Sequence, residues 1–312
     1  MPINQSINQS INQSINQSIN QSINQSINQS INQSINQSTN QPIVIALAAD
    51  LGYQTQVETL IKSLCYHHSH LKIYLFQKTF PNEWFDIWCQ KLALLSSEII
   101  PVKVCVDFSK YKSLEHINET GFYRYLIPYL DEERVLYLDS DIVVDDNLSE
   151  MYWLNFNGIP LYAVEDYVHN HIPAYLDLDL SPYFNSGVLL INNILWKKYS
   201  VCDELVTINE KIVNLTYGDQ DALNIYFKGG WGALPIEYNY QVDAILELVL
   251  RREQEELARK NGYLDVIPKI IHYTSKFKPW KKELHTMQIS TRKKYWFYYH
   301  LEWNDILEQH QK

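Results

Sequence analysis

Residues 134–146, RVLYLDSDIVVDD, are the stretch on which the reading of the whole chain turns. Val135, Leu136, Tyr137 and Leu138 are strand-forming residues with no polar alternation, the pattern of a strand buried on both faces inside a parallel sheet. Asp139 and Asp141 follow at once. In an extended chain, residues two apart point to the same side, so both carboxylates can face one cation at the carboxyl edge of the sheet. Ligands of open α/β sheets bind at that edge. A solvated strand end explains the same pair equally well. The bare pattern decides nothing, because Asp-x-Asp recurs at Asp177/Asp179, in the proline-flanked loop AYLDLDLSP, and at Asp219/Asp221, in a turn entering a helix.

On the amino-terminal side of this stretch, residues 43–49 form an apolar first strand followed by Asp50, Leu51, Gly52 and Tyr53. A helix through Cys65, a strand at 72–76, a helix at 82–95 and a strand at 102–108 come next. A helix at 113–130, carrying Arg124, leads into the acidic strand. The alternation predicts an α/β fold with a mostly parallel sheet flanked by helices and right-handed crossovers. Beyond the acidic strand, 161–164 is a short strand ending at Glu165 and Asp166. A loop of lid-like length then runs to Tyr183. YFNSGVLLINN reads as a strand, 197–213 as a helix, and GDQDALNIYF and PKIIHYTSKFKPW follow.

Residues 3–38 are nine uninterrupted copies of Ile-Asn-Gln-Ser. The tract has too little apolar surface to offset chain entropy and is expected to be disordered, with a lone helix as the second reading. The base sequence ATCA read repeatedly in triplets encodes this same four-residue unit. Gain or loss of one such unit shifts the reading frame, so switching of expression by slippage is expected. Three segments result: the tract at 1–42, a folded domain at 43–278 and a carboxyl-terminal segment at 279–312.

The roughly 270 residues beyond the tract suffice for a large core. The net charge of −10 argues against a nucleic-acid binder. Cys65, Cys89, Cys105 and Cys202 have no metal-type spacing and read as reduced cysteines. No run approaches the ~18 apolar residues of a bilayer span, and the amino terminus lacks the pattern of a secretory signal. The expected location is the cytoplasm. Residues 276–312 carry eight Lys or Arg against four acids. RKKYWFYY (292–299) mixes cations with rings suited to a membrane interface, and a helix packed on the domain with a solvated face reads as well.

LAAD at 47–50, FYRYL around Arg124, LYLDSDIVV, YFNSGVLLIN, GDQDALN and IIHYTSKFKPW together resemble, in order, the retaining family 8 glycosyltransferases, and among them the bacterial lipopolysaccharide glucosyl- and galactosyltransferases. The likeness runs from Ile43 to Trp280 and implies the GT-A fold of nucleotide-diphospho-sugar transferases. By resemblance, Asp139, Asp141 and His272 hold a divalent metal, manganese with magnesium as the alternative, against the diphosphate of a UDP-hexose. Two carboxylates offset the cation's charge, and one imidazole tilts an oxygen site towards manganese. The resemblance further assigns Ala48, Asp50 and Tyr53 to the uridine. Arg124, Ser140, Ser275 and Lys278 go to the phosphate region, and Asn185, Asp219 and Gln220 to the sugar and its reactive face. Leu51 replaces an aspartate common in the family, and Ser275 a glycine. A neutral amide is a poor nucleophile, so front-face attack with Gln220 as stabiliser is favoured over a covalent intermediate. Taken singly, Arg124 reads also as a surface cation, His272 as structural, and Asp219 and Gln220 as helix caps. The partners implied are the UDP-sugar and a lipid-linked saccharide acceptor. The competing classes are a metal-dependent phosphohydrolase and a silent sugar-binding protein.

Overall fold

The computed structural model describes residues 41–111, 119–167, 180–212, 215–242, 265–274, 278–281 and 289–311. Its centre is a seven-stranded sheet in the order β3-β2-β1-β4-β7-β6-β8. The strands are β1 (Ile43–Ala48), β2 (Leu71–Gln77), β3 (Glu98–Lys103), β4 (Arg134–Leu138), β6 (Leu161–Glu165), β7 (Phe184–Asn192) and β8 (Gly232–Ala233). All run parallel except β7, which pairs antiparallel with β4 and with β6. β1 is buried at every position and β4 at all but its first, as expected of continuous apolar runs covered on both faces. A second sheet, β5-β10-β9, is built from β5 (Ile142–Val144), β9 (Tyr240–Gln241) and β10 (Ile270–His272).

Helix α1 (Gln54–His67) buries Val57, Leu60, Ile61 and Leu64, the spacing of one helical face. Helix α2 (Asn82–Ala93) buries Trp84, Phe85, Trp88 and Leu92. The short α3 (Ser149–Tyr152) follows β5. After β7 come α4 (Asn193–Lys198), α5 (Val201–Lys211) and α6 (Asp219–Tyr226). The chain ends in α7 (Ile289–His300) and α8 (Trp303–Gln309), which pack on α1 within the compact unit formed by Ile43–Lys312.

Four local expectations are corrected. The third strand lies at Glu98–Lys103, not 102–108, with Pro101 inside it. β3 is the sheet edge, where a residue without an N–H is tolerated. The segment carrying Arg124 winds as consecutive 3₁₀ turns over Glu119–Tyr129, with Pro128 inside, where an α-helix was expected over 113–130. The helix expected at 197–213 is two helices, broken where Ser200 takes a left-handed conformation (φ 50°). Finally, the chain is not extended between Asp139 and Asp141. Ser140 and Asp141 form a turn that carries it from the main sheet into β5. The loop containing Asp177 and Asp179 lies outside the described residues, as do the Ile-Asn-Gln-Ser tract and Ser275.

Candidate metal centre

Strand polarity collects the site. β1, β4 and β6 end at one edge of the sheet, and β7, running the other way, begins there. Residues from the ends of the first three strands therefore face Phe184–Gly187 from the start of the fourth. Asp139 follows β4 and its amide donates to Gly187 O at 2.8 Å. Ser140 Oγ donates to Ala48 O at 2.8 Å, tying the turn to the end of β1. Asp141 O accepts from Tyr273 N at 3.0 Å, so the turn also fixes the residue after His272.

Asp139, Asp141 and His272 each present one ligand atom, and these atoms lie within 4.8 Å of one another. His272 Nε2 is 3.2 Å from Asp141 Oδ1 and 3.8 Å from Asp139 Oδ2. On the far side of the ring, Nδ1 lies 2.9 Å from Asn239 Oδ1. The Asn239 amide nitrogen is spent on Asn185 Oδ1 at 2.9 Å, so its oxygen accepts and Nδ1 carries the proton. Nε2 then keeps its lone pair for a cation, the arrangement found where a histidine binds a metal. Two carboxylates and this nitrogen fit a divalent ion with mixed oxygen and nitrogen preference.

The second oxygen of Asp139 is already committed. Oδ1 accepts from Arg124 NH2 at 2.9 Å and from Tyr137 OH at 2.8 Å, leaving Oδ2 for the side of His272. Arg124 is buried, lies over the Tyr137 ring at 4.4 Å, and donates to Gly121 O and Ser186 O. Its Nε is 3.1 Å from Asp219 Oδ2. It therefore clamps Asp139 to Asp219 and is no surface cation. Burial pushes the Asp219 carboxyl up to about 6 against the pull of Arg124. Burial acts on Asp141 in the same sense, but Lys278, joined by His272 when its ring is protonated, outweighs it and holds that carboxyl well below the usual range. Lys278 Nζ donates to Asp141 Oδ2 at 2.6 Å and to Tyr273 O.

Gln220 and Asn185 share one carboxylate. Gln220 Nε2 donates to Asp166 Oδ2 at 3.1 Å and Asn185 Nδ2 to the same oxygen at 3.4 Å. Gln220 Oε1 accepts from Ser186 N at 3.0 Å, and Asn185 Oδ1 from Gly187 N at 3.0 Å. Gln220 thus faces β7 and does not cap its own helix, whereas the Asp219 carboxylate accepts from Ser186 Oγ at 3.3 Å and also from its own backbone N–H at the helix start. The side chain at its amino end that bonds a preceding amide is Asp221, to Tyr217 N at 2.8 Å. Asn224 binds both the N–H and the C=O of Phe184, seating α6 on the start of β7. Asp50 opens the turn Leu51–Tyr53 after β1. The Tyr53 ring stands edge-on to Trp280 at 6.2 Å, and its hydroxyl is pushed up to about 12 by burial and then by Asp141 and Asp50.

Four participants escaped the sequence reading: Asn239, Asp166, Ser186 and Gly187. Gly187 had a legible signal, a glycine inside an apolar strand, which marks close approach of another group. A β-carbon there would lie 2.2 Å from His272 Cε1 and 2.8 Å from Asp139 Oδ2. Asn239 had none, since a buried amide contacting a histidine 33 positions away leaves no local pattern. Asn239→Ala is expected to weaken Mn²⁺ binding by about 10–100-fold, the usual cost of losing the group that orients a ligating histidine. Titration of the metal-free protein followed by electron paramagnetic resonance measures it, and unchanged affinity refutes the tautomer assignment.

A model of glycosyl transferase family 8 matches residues 44–283. Curated relatives include the Streptococcus pneumoniae glycosyltransferases GlyA and GlyB. GlyA is 37% identical over 270 residues, covering 85% of this chain and 36% of the relative. GlyB is 35% identical, covering 84% and 63%. The lipopolysaccharide 1,2-glucosyltransferase of Escherichia coli is 26% identical, covering 76% and 72%. The chain thus spans about a third to two-thirds of the length of the streptococcal relatives. Among solved structures, the apo form of GlyE aligns with a TM-score of 0.68 at 30% identity, over 87% of this chain and 63% of that one. The galactosyltransferase LgtC, crystallised with donor and acceptor sugar analogues, aligns at 0.69 and 23% identity, over 82% and 95%. The domain has the GT-A fold, and the chain belongs to glycosyltransferase family 8.

Proposed function

We propose that this enzyme transfers galactose or glucose from a UDP-sugar to a saccharide acceptor of a lipopolysaccharide or lipooligosaccharide, with retention of configuration. The observation that carries the reading is the convergence of Asp139, Asp141 and His272 at the sheet edge, with Lys278 and Tyr53 beside them. Those three side chains would hold manganese, whose chemistry when bound would be Lewis-acid stabilisation of the departing diphosphate. Lys278 adds a point charge to the phosphates after leaving Asp141. Tyr53 stacks on the base, Asp50 and Ala48 complete the uridine site, and Ser140 holds the turn to Ala48. Asn185 and Asp219 serve the sugar. Gln220 is pinned by Ser186 and Asp166 and stays neutral, which favours attack from the leaving-group face with the amide stabilising charge at the anomeric carbon. Gln220→Ala is expected to lower kcat by about 10²–10³ with little change in donor KM. A wild-type kcat removes that role.

The name of the Escherichia coli relative supports a lipopolysaccharide acceptor. No helix among the described residues is long and apolar enough to cross a membrane. Within RKKYWFYY, Tyr295 and Tyr298 are buried against the domain and Lys294 pairs with Asp145, leaving Lys293 and Phe297 exposed for peripheral contact at the cytoplasmic face. Flotation with anionic liposomes, comparing wild type with Phe297→Glu, tests that contact, and equal binding removes it. The repeat tract serves expression switching and not catalysis, and clonal isolates that differ in expression but not in repeat number end that part of the reading. The central test is transfer from UDP-galactose and UDP-glucose to a panel of lipooligosaccharide acceptors, with and without chelator, read by mass spectrometry. Manganese-dependent transfer from one donor is expected. Turnover in chelator, or phosphate-ester hydrolysis without transfer, overturns it.

A further inference from the structure

His272 ends β10 and Lys278 lies six positions on, and helix α7 braces the residues beside both. Tyr273 OH donates to Thr291 O on α7 at 2.6 Å, and its ring meets the Tyr295 ring edge-on at 5.9 Å. Trp280, two positions after Lys278, packs on the same Tyr295 ring at 5.0 Å and presents its other contact to Tyr53. Trp296 Nε1 donates to Pro279 O at 3.2 Å and Arg292 NH2 to Lys281 O at 3.1 Å. Both flanks of the ligand-bearing segment are therefore tied to one helix.

That helix is anchored separately to the body. Lys62 Nζ on α1 donates to Tyr299 O at 2.8 Å, and Tyr298 OH donates to Asp145 Oδ1 at 2.7 Å while lying 2.8 Å from His67 Nε2. Lys294 pairs with Asp145 Oδ2 at 2.8 Å. Tyr53 immediately precedes α1, and the far half of α1 carries these anchors. Tyr295, buried at 2% exposure, thus lies between the framework and the two aromatic residues that flank the candidate ligands.

We propose that α7 is a positioning element of the donor site, with Tyr295 as its hub, holding Tyr273 and Trp280 so that His272, Lys278 and the Tyr53 ring keep their mutual arrangement. The inference rests on the donor-site assignment above. A ring is required at 295 because the contacts are edge and face contacts between aromatic surfaces. A displacement of about 1 Å in such a segment costs up to ~10²-fold in function.

The test uses the full-length chain with two readouts. UDP affinity is measured calorimetrically in Mn²⁺, and amide hydrogen exchange at Tyr273 and Lys281 is followed in the metal-free protein, where those amides bond Asp141 O and Lys278 O. Tyr295→Ala is expected to weaken UDP binding about tenfold or more and to accelerate exchange at both amides, whereas Tyr295→Phe matches wild type. Trp303→Ala, which loosens α8 through Trp88 (5.8 Å, edge-on), is expected to lower the melting temperature without moving either readout. Should Tyr295→Ala not fold, Tyr295→Leu keeps apolar volume without the ring and is judged by the same two readouts. A folded Tyr295 variant with wild-type UDP affinity and exchange overturns the proposal, as does a Trp303→Ala protein with the same loss of affinity. If the wild type itself binds neither Mn²⁺ nor UDP, the donor-site assignment fails and takes this inference with it, a result visible before any variant is made.

Discussion

Gly187→Ala is expected to lower metal-dependent transfer at least ~100-fold while leaving the far-ultraviolet circular dichroism close to wild type. The added carbon would meet His272 Cε1 at 2.2 Å, Asp139 Oδ2 at 2.8 Å and His272 Nδ1 at 2.9 Å. None of these can move aside freely. Asn239 holds the imidazole from the other side, and Asp139 is held by Arg124 and Tyr137. Relief must come from rotating the ring off Asn239 or from parting β7 from the end of β4, where Asp139 N bonds Gly187 O. Either route separates the two ligand atoms. Overpacking of this kind costs about 1–3 kcal/mol of stability, so the chain still folds and the defect appears at the site. Paramagnetic titration with Mn²⁺ decides, because a variant that binds the ion as tightly as wild type leaves the close approach without functional meaning.

Asp141→Ala carries the second large effect. It removes a candidate ligand and also strands the Lys278 ammonium, which is 11% exposed and 2.6 Å from Asp141 Oδ2. Loss of a ligand to a Lewis-acid ion worth several kcal/mol is expected to cut turnover by about 10³. In the metal-free protein the pair is only partly buried and Lys278 keeps Tyr273 O, so the uncompensated charge costs less than the ~3–5 kcal/mol of a fully buried pair. Asp141→Ala/Lys278→Met is expected to restore most of the melting temperature and none of the activity. Restored activity would show that the pair, and not the carboxylate, matters.

The same carboxyl fixes an acid dependence. Its pKa is depressed in the folded state, so it binds fewer protons there than in the unfolded chain as acid is added. Its contribution to stability is present above the ordinary carboxylate range and disappears as pH falls below about 4. Metal-free wild type should therefore lose melting temperature more steeply in that range than Asp141→Ala does. Parallel curves would mean that Lys278 and His272 do not stabilise the carboxylate.

Much of the candidate site is legible in the sequence because its residues punctuate strands. Asp139 and Asp141 end an apolar run, Asn185 opens another, and His272 closes a third; such positions lie at a sheet edge whatever the details of packing. For the aspartate pair the expectation is a pleat that points alternate residues the same way; the observed cause is a turn at Ser140, tied to Ala48, that sends the chain into a second sheet. Arg124 was placed near the phosphates by resemblance, while the structure occupies its guanidinium with Asp139, Asp219 and backbone oxygens. The carboxyl-terminal rings were read as equally suited to a membrane or to the domain. Tyr295 and Tyr298 face the domain, since their partners Trp280 and Asp145 are brought beside them by β10 and β5.

By itself the sequence determined the α/β layering, the parallel core strands and the edge at which the candidate ligands collect, because apolar periodicity and strand punctuation are local and survive without knowledge of contacts. Tertiary structure alone decided that β7 runs against its neighbours, bringing Asn185 and Gly187 to the ends of β4 and β6. It also decided that Asn239 sets the tautomer of His272, that Asp166 orients two amides, and that α7 braces the segment bearing Lys278. Those outcomes depend on pairings between residues tens to hundreds of positions apart, and a hydrogen bond across such a separation imposes no periodicity on the chain that makes it.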